Sequence, residues 1–189
     1  MQHAFTFIIV ALSDLYIMTF FLRLALAWAR ADFRNPMAQF IVKVTNPLVI
    51  PARRFIRPVG NLDLATLVVL LALQILATGV LVQITCGGDA QGGQIVALAL
   101  TRLVELVLNM YFWLLLVYVV ASWVGQGSYN PAIAVLAALV EPLLAPLRRI
   151  IPPIGGLDIS PVFAFLAIGF LQRLIPGGPQ LTGLLCAQF

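Results

Sequence analysis

Charged residues are scarce in this sequence. Only 10% of its 189 residues are Asp, Glu, Lys or Arg, whereas 62% are hydrophobic, and the mean hydropathy is +1.05. A soluble domain of this length needs a polar surface, which seven acidic and eleven basic residues cannot provide. The composition therefore excludes an ordinary soluble domain and favours insertion into a membrane.

Histidine and cysteine are also scarce, which argues against metal binding and catalysis. The single histidine is His3, the cysteines are Cys86 and Cys186, and their spacing forms no metal-binding pattern. The sequence also lacks a phosphate-binding glycine loop and a nucleophile elbow. We therefore expect neither an enzyme nor a cofactor. The pI of about 9.6 suits anionic lipid, and no pattern typical of nucleic-acid recognition is present.

Long apolar runs are what the sequence has instead. Four of them, at about 4–29, 64–84, 104–124 and 159–175, reach or approach the ~20 residues that a helix needs to cross a bilayer. Each is predicted to be helical, because lipid offers no partner to an unpaired backbone amide. No Lys or Arg precedes Arg23, so the first run lacks the basic start of a signal peptide and is expected to be retained. The predicted fold is an all-α membrane protein with four transmembrane helices.

The sequence repeats itself at an offset of 95 residues. The duplication divides the chain into residues 1–93 and 94–189, each with a long span, a connector and a shorter span. Because each unit has two spans, both copies are predicted to insert with the same orientation. The matches are Tyr16 with Tyr111, Trp28 with Trp123, Asn35-Pro36 with Asn130-Pro131, Pro47 with Pro142, Pro51 with Pro146, Arg53-Arg54 with Arg148-Arg149, Pro58 with Pro153, Gly60 with Gly155, and Asp63 with Asp158.

The distribution of basic residues predicts the orientation. Six of them lie in the first connector and Arg148 and Arg149 lie in the second, whereas residues 86–94 contain none. Short basic loops stay in the cytoplasm, so both connectors are predicted to be cytoplasmic and both termini periplasmic. On that outer side, Cys86 and Cys186 are either bridged or two free thiols.

Each connector is predicted to contain a short basic helix that lies in the membrane interface. Pro47 suits its first position, with Asn46 as the N-cap, and Pro58 ends it. Residues 36–44 ahead of it form a predicted amphipathic helix, with Met37, Phe40, Ile41 and Val44 on its apolar face. Their counterpart, 131–140, is apolar nearly all round and is expected to be buried. The interfacial helices place apolar side chains on one face and arginines on the other. In the first repeat the apolar face is Leu48, Ala52, Phe55 and Ile56, and the basic face is Arg53, Arg54 and Arg57. In the second repeat the helix begins at Pro142, its apolar face is Leu143, Leu147, Ile150 and Ile151, and its basic face is Arg148 and Arg149.

The charged residues of the connectors have more than one interpretation. The arginine pairs either contact anionic headgroups in general, or converge on one pocket for a phosphate, a lipid head or an acidic partner segment. Asp63 and Asp158 either cap the span that follows or pair with an arginine of the segment before it, and the two roles are compatible.

Three polar residues inside the spans are functional candidates, because charge is costly at that depth. Asp14 and Arg23 lie in the first span, and Asn109 stands at the repeat position of Asp14. For Asp14 the alternatives are a contact with the second repeat, an ion pathway, or exposure at the interface. Arg23 is expected to extend toward the headgroups, and Arg102 and Glu105 can pair along one helix.

The doubled pattern Asn/Glu-Pro-Leu-x-x-Pro-x-Arg-Arg, followed by Pro-x-Gly-x-Leu-Asp, at residues 46–63 and 141–158, resembles the YggT family of bacterial inner-membrane proteins. The resemblance covers nearly the whole chain and implies the two-repeat, four-span form of proteobacteria. Relatives have been linked to osmotic stress and potassium balance, to cell division or nucleoid organisation, and to cytochrome assembly in plastids. The resemblance therefore implies a shared location more than a shared reaction.

Two functional hypotheses follow. The first is a non-enzymatic organising or assembly factor of the inner membrane, linked to osmotic stress or to envelope and cell-division homeostasis. Its basic segments would contact anionic lipid or partner proteins through Arg53, Arg54, Arg57, Arg148 and Arg149. The second is a channel or transporter subunit in potassium or osmotic homeostasis. Four spans leave little interior for a polar path, so this hypothesis requires a homo-oligomer.

Overall fold

The computed structural model describes residues 2–56, 63–86, 92–124, 130–151 and 158–175. Within these ranges the chain forms helices and no strand, which confirms the all-α prediction. Arg57, Pro58, Gly60, Pro153, Gly155 and Cys186, and the side chains of Cys86 and Trp123, lie outside the described part, so the predictions made for them stay predictions. The helices are α1 (Gln2–Trp28), α2 (Pro36–Arg53), α3 (Leu64–Cys86), α4 (Gly92–Val124), α5 (Pro131–Ile150) and α6 (Ser160–Leu174).

Four helices are long and apolar enough to cross a membrane: α1 over Ala4–Trp28, α3 over Leu64–Thr85, α4 over Gly92–Ser122 and α5 over Pro131–Ile150. The number agrees with the prediction, but the fourth member is α5 and not the run at 159–175. That run forms α6, which has 15 residues. It rises only ~22 Å, less than the ~30 Å of a bilayer core. By length and composition alone, α5, the predicted connector of the second repeat, is thus also a candidate span, although it packs on α4 and α6 as α2 packs on α1 and α3.

Each repeat packs three helices around its own core. In the first, α1, α2 and α3 contact one another, and in the second α4, α5 and α6 do the same. Phe20 and Val49 lie in the first core, and Leu115 and Leu144 lie in the second. The two pairs are related by the 95-residue offset, and all four side chains are fully buried. The duplication seen in the sequence is therefore also a duplication in packing.

The two repeats share an interface. Helix α3 packs on α4, α1 contacts α4 and α5, and α2 contacts α5. The Asn35 Nδ2 group donates a hydrogen bond of 2.7 Å to the carbonyl oxygen of Pro131. This bond joins the beginning of α2 to the beginning of α5. One buried apolar cluster at the interface contains Ala25, Leu26, Ala38, Val135 and Leu139.

Both connectors are single continuous helices. The prediction that a separate helix begins at Pro47 or Pro142, with Asn46 as its N-cap, is wrong. Helix α2 runs through Pro47 and Pro51, and α5 runs through Pro142 and Pro146. An internal proline removes one backbone hydrogen bond, but neighbouring helices and polar side chains can compensate for it in a membrane protein. The helices begin eleven residues before these prolines, at Pro36 and Pro131.

The N-caps of the connector helices are Asn35 and Asn130. Their Oδ1 atoms accept hydrogen bonds of 2.9 Å from the backbone amides of Met37 and Ala132. Each asparagine precedes a proline at the first helical position, where the missing amide hydrogen costs nothing. The Asn-Pro match between the repeats thus marks the true helix starts.

The buried faces of the connector helices differ. On α2 the buried residues are Ala38, Thr45 and Val49, whereas Met37 and Phe40 of the predicted apolar face are exposed. Small side chains allow close helix contact, and the large ones are left for lipid. Further along, Leu48 and Phe55 are exposed while Ala52 and Ile56 pack on the first core, so the predicted single apolar face is divided. Helix α5 buries a larger set, as predicted: Val135, Leu136, Leu139, Val140 and Leu144.

Candidate functional site

Arg23 is the centre of a polar cluster in the first repeat. It lies in α1 and is only 4% exposed. Its Nη1 group donates to Thr45 Oγ1 at 2.7 Å and to Asn46 Oδ1 at 2.9 Å, and lies 3.5 Å from the carbonyl oxygen of Val42. Its Nε atom is 3.7 Å from Asp63 Oδ2. The expectation that Arg23 extends outward to the general headgroup layer is therefore wrong, because its guanidinium turns to acceptors that α2 presents inside the protein.

Asp63 links the end of α2 to the beginning of α3. Its Oδ1 and Oδ2 atoms accept from Arg53 Nε and Nη2 at 3.4 and 2.5 Å. They also accept from the backbone amide of Thr66 at 3.4 Å and from its hydroxyl at 2.6 Å. Burial raises the pKa of Asp63, but the hydrogen bonds from Arg53 and Thr66 outweigh it and lower the pKa below 3.8. Capping and arginine pairing, the two predicted roles, coexist.

The second repeat also has an arginine–aspartate pair, and its arginine contacts a second carboxylate as well. Arg148 Nε donates to Asp158 Oδ2 at 2.8 Å, and its Nη1 donates to Glu141 Oε2 at 2.7 Å. Asp158 Oδ1 accepts from the backbone amide of Ser160 at 2.9 Å. Burial raises the pKa of Asp158, but the hydrogen bonds from Ser160 and Arg148 outweigh it and lower the pKa below 3.8. One arginine here balances two carboxylates.

The two arginines of each basic pair have different surroundings. Arg53 and Arg148 are held by Asp63 and Asp158, as described above. Arg54 and Arg149 are exposed, and neither forms an ion pair with any residue in the described ranges. The exposed arginines are followed at equivalent positions by large exposed apolar side chains: Phe55 is 88% exposed and Ile150 is 76% exposed.

A pocket of about 580 Å³ lies beside the Arg23 cluster. It is formed by α1, α2, Phe33 in the segment between them, and Asp63, which precedes α3. Arg54, Arg148 and Arg149 are not among its lining residues, so this pocket does not gather the two arginine pairs. Its charged lining comprises three cations and one carboxylate. The lining residues are Arg23, Ala27, Phe33, Gln39, Val42, Lys43, Asn46, Arg53 and Asp63.

The polar residues predicted inside the spans lie in different surroundings. Asp14 Oδ1 accepts a hydrogen bond of 3.3 Å from Arg102 Nη2, which is the predicted alternative of a contact with the second repeat. Asn109, at the repeat position of Asp14, is exposed. Gln74 of α3 is 1% exposed, and its Oε1 atom has no hydrogen-bond partner within the described ranges.

Sequence reasoning missed several members of the Arg23 cluster. Thr45 and Asn46 were not identified as its acceptors, and Lys43 was not identified as a pocket residue. One signal was available: the two acceptors follow each other within an otherwise apolar stretch of α2.

The comparison with known families agrees with this duplicated arrangement. The CCB3/YggT family model matches residues 2–84 and again residues 97–178. The chain belongs to the CCB3/YggT family. The resemblance inferred from the doubled motif is thereby confirmed, and the two matches correspond to the two repeats.

Several known proteins are similar to this chain, and the first two described here are similar along most of its length. A protein in the proC 3′ region of Vibrio alginolyticus is 43% identical over 175 residues, which cover 92% of this chain and 94% of that protein. YggT of Escherichia coli strain K12 is 36% identical over 182 residues, with 96% and 94% covered. The chloroplastic cofactor-assembly protein CCB3 of Arabidopsis thaliana is 33% identical over 82 residues, with 43% and 47% covered. No solved structure matches the chain.

Proposed function

We propose that this CCB3/YggT protein is a non-enzymatic organising or assembly factor of the bacterial inner membrane. In this proposal both connectors face the cytoplasm, and their ends contact anionic lipid headgroups and partner proteins. The observation that carries it is that two adjacent residues, one basic and one apolar, are exposed at equivalent ends of α2 and α5. These exposed residue pairs are Arg54-Phe55 and Arg149-Ile150. A basic side chain beside a large exposed apolar one is suited to an interface where anionic headgroups meet apolar lipid.

The name of one relative supports an assembly role. Arabidopsis CCB3 is named for cofactor assembly of complex C, and it aligns with 43% of this chain. An assembly factor holds its partners in position, so it requires docking surfaces more than reactive groups. The exposed residue pairs at the two connector ends provide such surfaces, one in each repeat.

The contacts of the polar residues favour this role over a channel or transporter subunit. Asp14 is tied to Arg102, and Arg23 is tied to α2. Asn109 is exposed, whereas Gln74 is buried. A conducting path would require these side chains to line one continuous space. Their different surroundings provide no support for such a path within one chain.

Photocrosslinking in intact cells tests the proposal. A photoreactive amino acid replaces Phe55 or Ile150 in the native chain and in a variant with Arg54→Ala and Arg149→Ala. We expect discrete crosslinked partners with the native arginines and their loss in the variant. Removal of two phosphate-facing charges should also weaken membrane-surface contact by about 2 kcal/mol.

The matched control is the double variant Arg34→Ala and Arg173→Ala. It also removes two exposed arginines, neither of which forms an ion pair within the described ranges. Normal crosslinking is expected there. Equal crosslinking in both double variants, with normal insertion, would contradict the docking role of Arg54 and Arg149.

A further inference from the structure

The pocket of the first repeat carries an unbalanced positive charge. Arg23, Lys43 and Arg53 line it, and Asp63 is the one carboxylate among its lining residues. Asp63 already accepts a two-point contact from Arg53. Asp63 also lies 3.7 Å from Arg23 Nε, so this one carboxylate is shared by two arginines. Three cations against one carboxylate leave the pocket with a net positive charge.

Hydrogen-bond donors in this pocket are also left over. Arg23 donates its hydrogen bonds to α2 from Nη1. The two hydrogens on Nη2 therefore bond to no acceptor in the described ranges. Asn46 uses its Oδ1 atom to accept from Arg23, which leaves its Nδ2 amide free to donate. Lys43 is exposed and has no ion pair in the same ranges. These three groups share a surplus of donors and positive charge, which is what a phosphate oxygen binds.

The size and remaining lining of the pocket fit a phosphate attached to a larger molecule. Its volume of about 580 Å³ lies within the range of small-molecule sites, roughly 300–1,000 Å³. Phe33, Val42 and Ala27 add apolar surface next to the charged groups. The pocket is also bordered by α1, a helix long and apolar enough to span a bilayer. A basic pocket beside such a helix is suited to a lipid headgroup.

We propose that Arg23, Lys43 and Asn46 form a binding site for the phosphate of an anionic phospholipid headgroup, between α1 and α2 of the first repeat. Asp63 holds Arg53 at the edge of the site, and the Thr45 hydroxyl fixes the Arg23 guanidinium. The site binds one headgroup in a defined geometry. It is separate from the general surface contacts of Arg54 and Arg149, and it does not depend on them.

The second repeat lacks this site although it has the same helices. At the 95-residue offset, Tyr118 replaces Arg23, Ala138 replaces Lys43 and Glu141 replaces Asn46. Arg148 is then paired with both Glu141 and Asp158. The equivalent position therefore has a surplus of acid and should repel phosphate. Anion binding is accordingly predicted for the first repeat alone, with one lipid per chain.

Native mass spectrometry of the purified full-length protein in detergent tests this proposal. The protein is titrated with phosphatidylglycerol, with zwitterionic phosphatidylcholine and with inorganic phosphate. We expect one phosphatidylglycerol per chain to be retained in preference to phosphatidylcholine. Lys43→Gln should weaken its retention about fivefold, the effect of ~1 kcal/mol per basic residue at a lipid surface.

A second variant avoids any loss of folding contacts. Asn46→Asp retains an Oδ acceptor for Arg23 but adds a negative charge to the pocket, as Glu141 does in the second repeat. It should abolish the retained lipid while leaving the thermal unfolding of the protein intact. The control is Arg34→Gln, which removes one exposed charge that does not line the pocket and should leave lipid retention unchanged.

The outcomes separate the possible ligands. Preferred retention of phosphatidylglycerol that is lost in Lys43→Gln and Asn46→Asp supports the headgroup site. Displacement of that lipid by millimolar inorganic phosphate, with phosphate itself retained, assigns the same site to a free phosphate. Equal retention of both lipids, or equal weakening by Lys43→Gln and Arg34→Gln, overturns the site. Arg54 and Arg149 are unaltered in these variants. A negative result for the lipid site therefore does not affect the crosslinking test of the proposed function.

Discussion

Asp14 on α1 and Arg102 on α4 form an ion pair between the two repeats, with 3.3 Å between Oδ1 and Nη2. The Arg102 side chain is 10% exposed, so its charge is largely withdrawn from solvent and requires a partner. The two residues are 88 positions apart in the chain. The pair therefore depends entirely on how the repeats dock.

Replacing Asp14 with Asn should lower the stability of the protein. It leaves Arg102 without its acidic partner, and we expect a loss of about 1–3 kcal/mol. Reversible unfolding in mixed micelles measures the change. The control is Asn109→Ala, because Asn109 occupies the equivalent position but is exposed. A double-mutant cycle with Arg102→Ala isolates the pair, and a coupling energy near zero would refute it.

Acidification should remove the contribution of Asp63 to the stability of the folded protein. Its pKa in the folded protein is lowered below 3.8, so the ionised form is favoured by folding. The associated stability is therefore fully present at neutral pH and is lost as the pH falls below 3.8 through the folded pKa. We expect native protein and Asp63→Asn to differ by about 2 kcal/mol in free energy of unfolding at neutral pH. The difference should shrink on acidification.

The comparison variant for that experiment is Asp158→Asn. Asp158 is also paired with an arginine, but its side chain is 40% exposed against 9% for Asp63. Water can replace more of its contacts, so its substitution should cost less. If the effect of Asp63→Asn did not change with pH, the carboxylate charge would not be what stabilises the contact between the end of α2 and the beginning of α3.

Arg23 should tolerate no simple replacement. Arg23→Ala removes donors from Thr45 and Asn46 and leaves a space between α1 and α2, for an expected cost of about 2–4 kcal/mol. Arg23→Lys should recover only part of this, because one ammonium group cannot reproduce the guanidinium fork. Thermal unfolding in detergent measures both. Arg173→Ala, an exposed arginine of α6, should be neutral, and equal effects of Arg23→Ala and Arg173→Ala would contradict the cluster.

Topology mapping should place both connector ends on one side of the membrane. In a chain with Cys86 and Cys186 replaced by Ser, single cysteines are introduced at the exposed positions Arg54, Arg149 and Gly93. An impermeant maleimide applied to intact spheroplasts should label the cysteine at position 93, in the first turn of α4. Under the proposed orientation, cysteines at 54 and 149 should require permeabilised membranes, because short basic loops stay in the cytoplasm. Opposite labelling at 54 and 149 would contradict the parallel orientation of the repeats.

Much of the architecture could be predicted from the sequence because it depends on composition and order. The apolar runs predicted α1 and α3 to within two residues at each end, and the offset matches predicted the duplication. The connector helices were predicted less well. Rules for soluble helices treat an internal proline as a boundary, whereas the packing of α2 against α1 and α3 holds it helical through Pro47 and Pro51.

The candidate site was predictable only in part. The Arg–Arg pairs and the following Asp were visible as a repeated pattern, and so was the possibility of an Arg–Asp pair. Which arginine of each pair contacts the aspartate was not visible, because adjacent residues on a helix point about 100° apart and the choice depends on the neighbouring helix. The same limit applied to Lys43 and Asn46, whose shared pocket forms only when α1 lies beside α2.

The sequence by itself determined that this chain enters a membrane, that it is a duplicated two-span unit and that it belongs to a particular family, since these depend on composition and on the spacing of residues along the chain. The tertiary structure alone decided that Asp14 meets Arg102, that Arg23 turns to Thr45 and Asn46, and that the first repeat has a basic pocket where the second has an acid-paired arginine. Such pairings depend on which helix faces lie within a few ångströms of each other. That proximity is set by packing between segments far apart in the chain.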